Sequence, residues 1–194
     1  MAIWVTSDWH FNHANILRYC RPQFSNIDEH NNYIIDRYNS TVGKDDLVYV
    51  LGDIGFSPAS KLAPLVQSLN GRKIMLVGNH DRLKDGEYRG MGFIDVVRHP
   101  IYYSSNIILS HIPIQECLDN PWVINLHGHL HNSELILSNF INVNLELHDF
   151  LPLDMKQFEE RAKKECLPTR YQPFPNEWYS QWEKRNILEN NVDK

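Results

Sequence analysis

The chain alternates short apolar runs with segments that have a helical period. Runs of four or five residues rich in β-branched and aromatic side chains predict six strands, at Ala2–Thr6, Leu47–Leu51, Lys73–Val77, Asn106–Leu109, Val123–Leu126 and Phe140–Val143. Residues 27–39 place apolar side chains near one face of a predicted helix, with Asp28 as its N-cap. Residues 58–69 predict a second helix that begins at Pro58. This alternation predicts an α/β domain with substantial parallel strand pairing.

The composition changes after about residue 150. Residues 151–194 are rich in proline, aromatic and charged side chains, and they predict two short helices, at roughly 155–165 and 176–188. We therefore expect a main domain over residues 1–150 and a short C-terminal helical extension over residues 151–194 that packs on the same domain.

Composition and charge exclude several classes of function. The 194 residues are 42% hydrophobic and 22% charged, which supports a sizeable core and excludes a disordered chain. No apolar stretch approaches the ~20 residues of a membrane span, and the N-terminal segment lacks the pattern of a signal peptide. Cys20, Cys117 and Cys166 lie far apart, so we expect free thiols in a cytoplasmic protein. The net charge of −5 argues against broad electrostatic binding of nucleic acid.

Five of the predicted strands stop at residues that can bind a metal ion. The residues that follow the apolar runs and have this capacity are Asp8, His10, Asp53, Asn79, His111, His129 and His131. Because the carboxyl ends of parallel strands line the ligand crevice of an open α/β sheet, we expect these side chains to meet at one place.

These candidate ligands combine imidazole with hard oxygen atoms and include no cysteine. Such a set suits Mn²⁺, which we expect, or Fe, Zn or Ni, better than it suits Ca, Mg or a structural zinc ion. Seven ligands are too many for one ion, but they fit two ions about 3.5–4 Å apart if one carboxylate bridges them. Gly52, Gly78 and Gly128 lie at or just before the strand-to-loop bends, where positive φ or close backbone approach is often needed.

The order of these residues resembles the calcineurin-like metallophosphoesterase superfamily. The matching blocks occur in the family's order, as Asp8-x-His10, Gly52-Asp53, Gly78-Asn79-His80-Asp81, His111 and Gly128-His129-x-His131. The resemblance implies a four-layer α/β fold, in which helices flank a two-sheet β-sandwich with a dinuclear metal site at its top. It also implies hydrolysis of phosphate mono- or diesters by a hydroxide that the two ions activate.

The resemblance further implies a role for each residue of the site. Seven residues stand at the positions of the family's metal ligands, which are Asp8, His10 and His131 for the first ion, Asn79, His111 and His129 for the second, and Asp53 as the bridge. His80 resembles the family's non-ligand histidine, which contacts the substrate phosphate and can protonate the leaving oxygen. His80 and Asp53 are therefore the expected catalytic residues.

Three further residues are candidates for contacts with the substrate. Asn12 and His13 closely follow the first ligand pair, although His13 could equally be a solvent-exposed histidine at the start of a helix. Arg18 lies three residues before Arg21 on one helical face, where the two could bind a second phosphate or a phosphodiester arm. The alternative for both arginines is a surface or loop-tethering role.

The complete ligand set and His80 favour an enzyme over a catalytically silent scaffold or binding protein of the same fold. A nuclease is a further alternative, but a chain with a net charge of −5 has no clear basic groove or DNA-binding appendage. We therefore expect a small phosphate ester as the partner, such as a nucleotide or cyclic nucleotide, and neither nucleic acid nor a membrane.

Overall fold

The computed structural model describes residues 1–133 and 135–165, within which nine strands form two sheets. The strands are β1 (Ile3–Thr6), β2 (Leu47–Val50), β3 (Arg72–Leu76), β4 (Phe93–Val97), β5 (Ile101–Ser104), β6 (Ile107–Ser110), β7 (Ile124–His127), β8 (Phe140–Asn142) and β9 (Leu153–Asp154). The α-helices of the same ranges are α1 (Ile16–Tyr19), α2 (Ile27–Thr41), α3 (Ala59–Gln67), α4 (Asp85–Gly90) and α5 (Met155–Glu165). Single 3₁₀ turns lie at Gln115–Cys117 and Leu145–Leu147.

Parallel pairs dominate both sheets. The first sheet has the order β4-β3-β2-β1-β9, in which only β9 runs antiparallel to its neighbour. The second sheet has the order β5-β6-β7-β8, in which only the β5–β6 pair is antiparallel. The fold is therefore a two-sheet α/β sandwich flanked by helices, and both the predicted parallel pairing and the architecture implied by the resemblance are confirmed.

The central strands are buried on both faces, which explains why they are continuous apolar runs in the sequence. Successive side chains of a strand point to opposite faces. Val48 and Val50 of β2 pack in the cluster that includes residues of α2, α3 and α4. Tyr49 and Leu51 pack instead in the cluster between the two sheets. One strand thus contributes to both layers of the core.

The cluster between the sheets also fixes the position of α5. Val5 of β1 meets Leu109 and Leu126 of the second sheet, and Met155 and Phe158 of α5 complete this cluster. These five side chains are at most 5% exposed. Burial of side chains of this size contributes about 1.5–3 kcal/mol each, so the cluster stabilises both the contact between the sheets and the docking of the helix.

Some predicted boundaries are wrong for identifiable reasons. The N-cap of α2 is Asn26 and not Asp28, because Asn26 is extended and its side chain accepts a hydrogen bond from the backbone N–H of Glu29. Helix α3 begins at Ala59, one residue after the predicted start at Pro58. The six predicted strands are present, and α5 confirms the helix predicted at 155–165. The helix predicted at 176–188 lies outside the described residues.

Strands β4, β5 and β9 were not predicted, because their sequences lack a continuous apolar run. Strand β4 has the burial pattern of a partly exposed strand, and β9 has only two residues. In residues 1–133 and 135–165, no helix has both the length and the apolar composition that crossing a membrane would require.

One carboxylate holds the start of β1. Asp46 accepts hydrogen bonds from the indole Nε1 of Trp4 at 2.9 Å, from the N–H of Ala2 at 2.7 Å and from the N–H of Gly43 at 2.9 Å. The bond from Trp4, followed by those from the two backbone groups, lowers the pKa of Asp46 to about 2. The folded chain therefore favours the charged carboxylate.

We expect Asp46→Asn to lower the free energy of unfolding at pH 7. Because the pKa of Asp46 is lower in the folded chain than in the unfolded chain, its contribution is full above about pH 4, the unfolded value. The contribution is lost as the pH falls towards 2. Urea unfolding of the parent, of Asp46→Asn and of the exposed control Asp45→Asn measures the difference at each pH. An equal deficit for Asp46→Asn at pH 7 and at pH 2 would contradict the explanation.

Candidate metal centre

The first sheet brings three of the site-bearing turns to one edge. Thr6, Val50 and Met75 are partners across the parallel ladder of β1, β2 and β3, so these strands end at almost the same level. The turns that follow carry the first candidate ligands. Backbone bonds join the first two turns, because the N–H of Asp8 donates to Gly52 O at 3.0 Å. These candidate ligands therefore lie on adjacent, hydrogen-bonded segments.

The second sheet supplies the remaining candidates from the opposite side. Ser110 and His127 are partners at the end of the β6–β7 ladder, and His111 directly follows Ser110. A parallel bridge between Ser7 and Asn144 joins the ends of the two sheets. The histidines after β6 and β7 are thereby brought against the carboxylates after β1 and β2.

One group of ligand atoms comes from Asp8, His10 and His131, which lie within 4.8 Å of one another. Asp8 Oδ1 is 3.6 Å from His10 Nε2, and both atoms are buried without a hydrogen-bond partner among the described residues. Buried polar atoms without partners are rare and costly. Burial also lowers the pKa of His10, which favours the neutral imidazole that a metal ion needs. These atoms fit a divalent cation.

A second group is formed around Asp53. The ligand atoms of Asp8, Asp53 and His111 lie within 4.8 Å of one another. Asp53 Oδ2 is 3.4 Å from His111 Nε2 and 3.8 Å from His10 Nε2. Burial alone would lower the pKa of His111, but the carboxylates of Asp53 and Asp8 raise it to about 9. Two buried carboxylates thus attract positive charge at this point.

Asn79 and His129 adjoin the second group. Asn79 Oδ1 lies 2.7 Å from His111 Nε2 and 3.0 Å from His129 Nδ1. The structure therefore brings all seven predicted ligands together, with Asp8 in both groups and Asp53 close to His10 of the first group and to His111 of the second. Imidazole, carboxylate and amide oxygen form a donor set that suits a divalent transition metal.

Five of the seven candidates have a left-handed backbone. The φ angles are 57° for Asp8, 49° for His10, 53° for Asp53, 71° for His129 and 50° for His131. This conformation costs roughly 1–2 kcal/mol for each residue other than glycine. Strain of this kind persists only where the surrounding structure enforces it, and it concentrates at functional sites. The pattern of apolar residues does not predict this backbone conformation.

Two glycines allow the turns to approach so closely. Gly52 has φ 90°, a conformation that side chains disfavour. A Cβ atom at Gly128 would collide with the hydroxyl of Ser7 and with the carboxylate of Asp8. The prediction that these positions need positive φ or close backbone approach is confirmed.

Asp81 ties the turn after β2 to the turn after β3. Its carboxylate accepts the N–H groups of Asp53 at 2.7 Å, Ile54 at 3.1 Å and Gly78 at 2.8 Å. Burial raises the pKa of Asp81 to about 6 despite these bonds. Asp81 thus positions the backbone of Asp53 and is not one of the grouped ligand atoms.

Arg21 and Glu146 support the site from behind. Arg21 is fully buried, and its guanidinium donates to the carbonyls of Asp8 and Trp9 and to Glu146 Oε1. Glu146 Oε1 also lies 3.0 Å from His131 Nδ1. A proton held on Nδ1 in this way leaves Nε2 of His131 free for an ion. Glu146 was missed in the sequence because it follows β8 in a 3₁₀ turn and belongs to no recognisable motif.

Of the two roles considered for Arg21, a phosphate contact does not fit, because its guanidinium is buried and donates to the site-bearing backbone. The loop-tethering alternative is correct for Arg21. Arg18 is exposed on α1. Asn12 lies beside the site, but its side-chain oxygen accepts a bond from Asn31 Nδ2 at 2.8 Å.

Two histidines outside the ligand groups border the site. His13 Nδ1 is 3.2 Å from His10 Nδ1, and the rings of His80 and His10 are 5.8 Å apart. The backbone N–H of His80 donates to Asp53 Oδ1 at 2.9 Å. His80 Nδ1 is buried and has no partner within the part of the chain that the structure describes. Both rings can therefore reach a molecule held at the ligand groups.

Comparison with known proteins matches this geometry to a family. The family model described as calcineurin-like phosphoesterase matches residues 1–191. The uncharacterized protein MJ1445 of Methanocaldococcus jannaschii is 34% identical over 166 residues, which cover 79% of this chain and 86% of that protein. The gene 66 protein of Mycobacterium phage D29 is 30% identical over 190 residues, which cover 78% and 92% of the two chains.

A solved structure has the same architecture. The crystal structure of AQ665 from Aquifex aeolicus, titled as a protein of unknown function, superposes with a TM-score of 0.65 at 25% identity. The match covers 82% of this chain and 98% of that chain. Because the family model spans nearly the whole sequence, this chain belongs to the calcineurin-like phosphoesterases, a family of hydrolases that act on phosphate esters with the help of divalent metal ions.

Proposed function

We propose that this protein hydrolyses phosphate mono- or diesters with a pair of divalent metal ions, with Mn²⁺ as the first candidate and Fe, Zn or Ni as alternatives. One observation carries the proposal. Asp53 Oδ2 lies 3.8 Å from Nε2 of His10, a member of the first group, and 3.4 Å from Nε2 of His111, which shares the second group with Asp53. A carboxylate in this position can bridge two cations, and a single ion would leave one group unused.

The proposed division of the seven ligands between the two ions follows the family resemblance. The ligands are Asp8, His10 and His131 for one ion, Asn79, His111 and His129 for the other, and Asp53 for both. When bound, a pair of divalent ions neutralises phosphate oxygens and lowers the pKa of a water molecule to about 7. Arg21 and Asp81 keep the ligand-bearing turns in place through their bonds to the backbone.

His80 is the proposed general acid. Its backbone is fixed to Asp53, while its ring lies between the ring of His10 and that of Phe56, with centroids 5.8 Å from each. A protonated imidazole at this place can donate its proton to the leaving oxygen as the ester bond breaks. His13 is proposed to contact the substrate phosphate from the same side, because its ring is 6.2 Å from that of His80.

An apolar floor supports these polar groups. Trp9 is fully buried beneath the first ligand pair, and its ring packs against Phe11, Tyr38 and Phe93 at centroid distances of 5.6, 5.8 and 6.4 Å. This floor lowers the local dielectric constant, which strengthens every interaction of the site with an anionic ester.

The proposed substrate is a small phosphate ester, such as a nucleotide or cyclic nucleotide. The net charge of −5 supplies no broad field that would attract a nucleic acid. Attraction of an anion is therefore assigned to the bound cations and to His80, which act only on a phosphate placed at the site.

We expect Asp53→Asn to abolish turnover and to weaken the binding of both ions. The amide keeps the shape of the side chain but removes one negative charge and one bridging oxygen. Metal content after dialysis should fall by more than one ion per chain. The exposed carboxylate variant Asp36→Asn is the matched control and should keep the parent's metal content and rate. Retention of two ions and a normal rate in Asp53→Asn would refute the bridging role.

We expect His80→Ala to separate metal binding from catalysis. The variant should keep its metal content, while its rate on esters with poor leaving groups falls by roughly 10²–10⁴, the range for loss of a general acid. The loss should be smaller for an activated aryl ester, whose leaving oxygen needs little protonation.

The control for His80→Ala is His99→Ala, which removes an exposed histidine from the segment that connects β4 and β5. Metal analysis and rates on both kinds of ester are compared for the two variants. Loss of an ion in His80→Ala would place His80 among the ligands. An equal loss on good and poor leaving groups would leave it a phosphate contact and remove its role as an acid.

A further inference from the structure

A pocket of about 330 Å³ is lined by His80 and by none of the seven candidate ligands. Its walls come from the turn after β2, which includes Phe56, and from the turn after β3, which includes Arg82 and Leu83. These two turns also carry Asp53 and Asn79. The pocket and the metal centre are thus built on the same backbone segments, with His80 as the residue that they share.

The floor of the pocket is preformed and apolar. Leu62 of α3 and Tyr88 of α4 line it and are each 1% exposed. The hydroxyl of Tyr88 accepts a hydrogen bond from the N–H of Leu83 at 3.1 Å, which fixes one wall to the floor. The N–H of Phe56 donates to Phe11 O at 2.9 Å and anchors the other wall.

Phe56 contributes an aromatic ring to the lining of this pocket. Its side chain is 47% exposed, which is unusual for a phenylalanine in a segment that is otherwise well buried. Its ring is nearly parallel to that of His13, with centroids 4.9 Å apart and an interplanar angle of 24°, and its centroid is 5.8 Å from that of His80. An aromatic ring with this exposure can stack against another planar group.

The polar groups of the lining are few. Asp81 is already engaged with three backbone N–H groups, and Arg82 is exposed to solvent. A leaving group with many hydroxyls would lose its hydrogen bonds to water on entry and regain few of them. The volume is at the lower end of the range of about 300–1,000 Å³ for ligand sites, so it suits one or two rings.

We propose that this pocket receives the leaving group of the substrate and selects a planar aromatic group, as in an aryl or nucleobase-bearing ester, over a compact alkyl or hydroxyl-rich one. The proposal rests on the proposed function, because it uses His80 as the donor to the leaving oxygen. When the leaving oxygen lies next to His80, the group bonded to that oxygen extends into the pocket that His80 borders. Phe56 is then a specificity-determining residue of the reaction.

The test compares two esters of the same phosphate whose leaving alcohols have similar acidity. Phenyl and hexafluoroisopropyl phosphates, and the corresponding methyl diesters, are assayed with Mn²⁺, and the ratio of kcat/KM for phenyl over fluoroalkyl is measured. A change in metal content alters both rates and cancels in this ratio. The parent should prefer the phenyl ester.

Three variants are measured with both esters. Phe56→Ala should reduce the ratio by about threefold to tenfold, the effect of one lost aromatic contact. Ser57→Trp, which fills the pocket from its rim, should also reduce it. Ile94→Ala removes a side chain of similar exposure on β4, at 49%, and should leave the ratio unchanged.

The outcomes separate this proposal from the proposed function. A parent that hydrolyses the esters with a ratio that neither Phe56→Ala nor Ser57→Trp reduces would refute the pocket and leave the phosphoesterase intact. A parent that hydrolyses none of the four esters with Mn²⁺, Fe²⁺, Zn²⁺ or Ni²⁺ would overturn both. A reduced ratio in both variants, with the ratio of Ile94→Ala at the parent's value, would establish the pocket.

Discussion

The parallel register of β1, β2 and β3 is the constraint on which the metal centre depends. Thr6, Val50 and Met75 are partners across the ladder, so the three strands deliver their following turns at one level. Asp8 comes two residues after Thr6, and Asp53 comes three residues after Val50. A shift of one residue in either ladder would turn the apolar side chains to the wrong face and separate the carboxylates. The register that packs the strands correctly therefore also brings the ligands of the site together.

The turns that leave these strands are strained, and buried polar groups offset that strain. Arg21 holds the carbonyls of Asp8 and Trp9, while Asp81 holds the N–H groups of the turns after β2 and β3. Each of these bonds involves a charged partner, a class that contributes about 1.5–3 kcal/mol. Such bonds are large enough to offset a left-handed residue at roughly 1–2 kcal/mol. The turns that carry the ligands are therefore held in place by hydrogen bonds between their backbone groups and the side chains of Arg21 and Asp81.

Much of the first sheet and the whole proposed ligand set could be predicted from the sequence. Strands buried on both faces appear as unbroken apolar runs, and the residues that end them are recognisable by type. The remainder depends on tertiary contacts that leave no local pattern. Strand β9 forms by pairing with the edge of β1. Glu146 contributes to the site because the fold places its carboxylate next to Arg21 and His131. The burial of Arg21 was open in the sequence for the same reason, since helical spacing cannot tell an outward arginine from an inward one.

Two metal ions that share Asp53 are the main feature proposed for this fold, and anomalous diffraction from crystals grown with Mn²⁺ can locate them. We expect two manganese peaks about 3.5–4 Å apart. One peak should lie within bonding distance of Asp8 and His10, the other within bonding distance of Asn79 and His111, and both should contact the Asp53 carboxylate. A single peak at full Mn²⁺ loading, or two peaks of which only one contacts Asp53, would refute a metal pair bridged by Asp53.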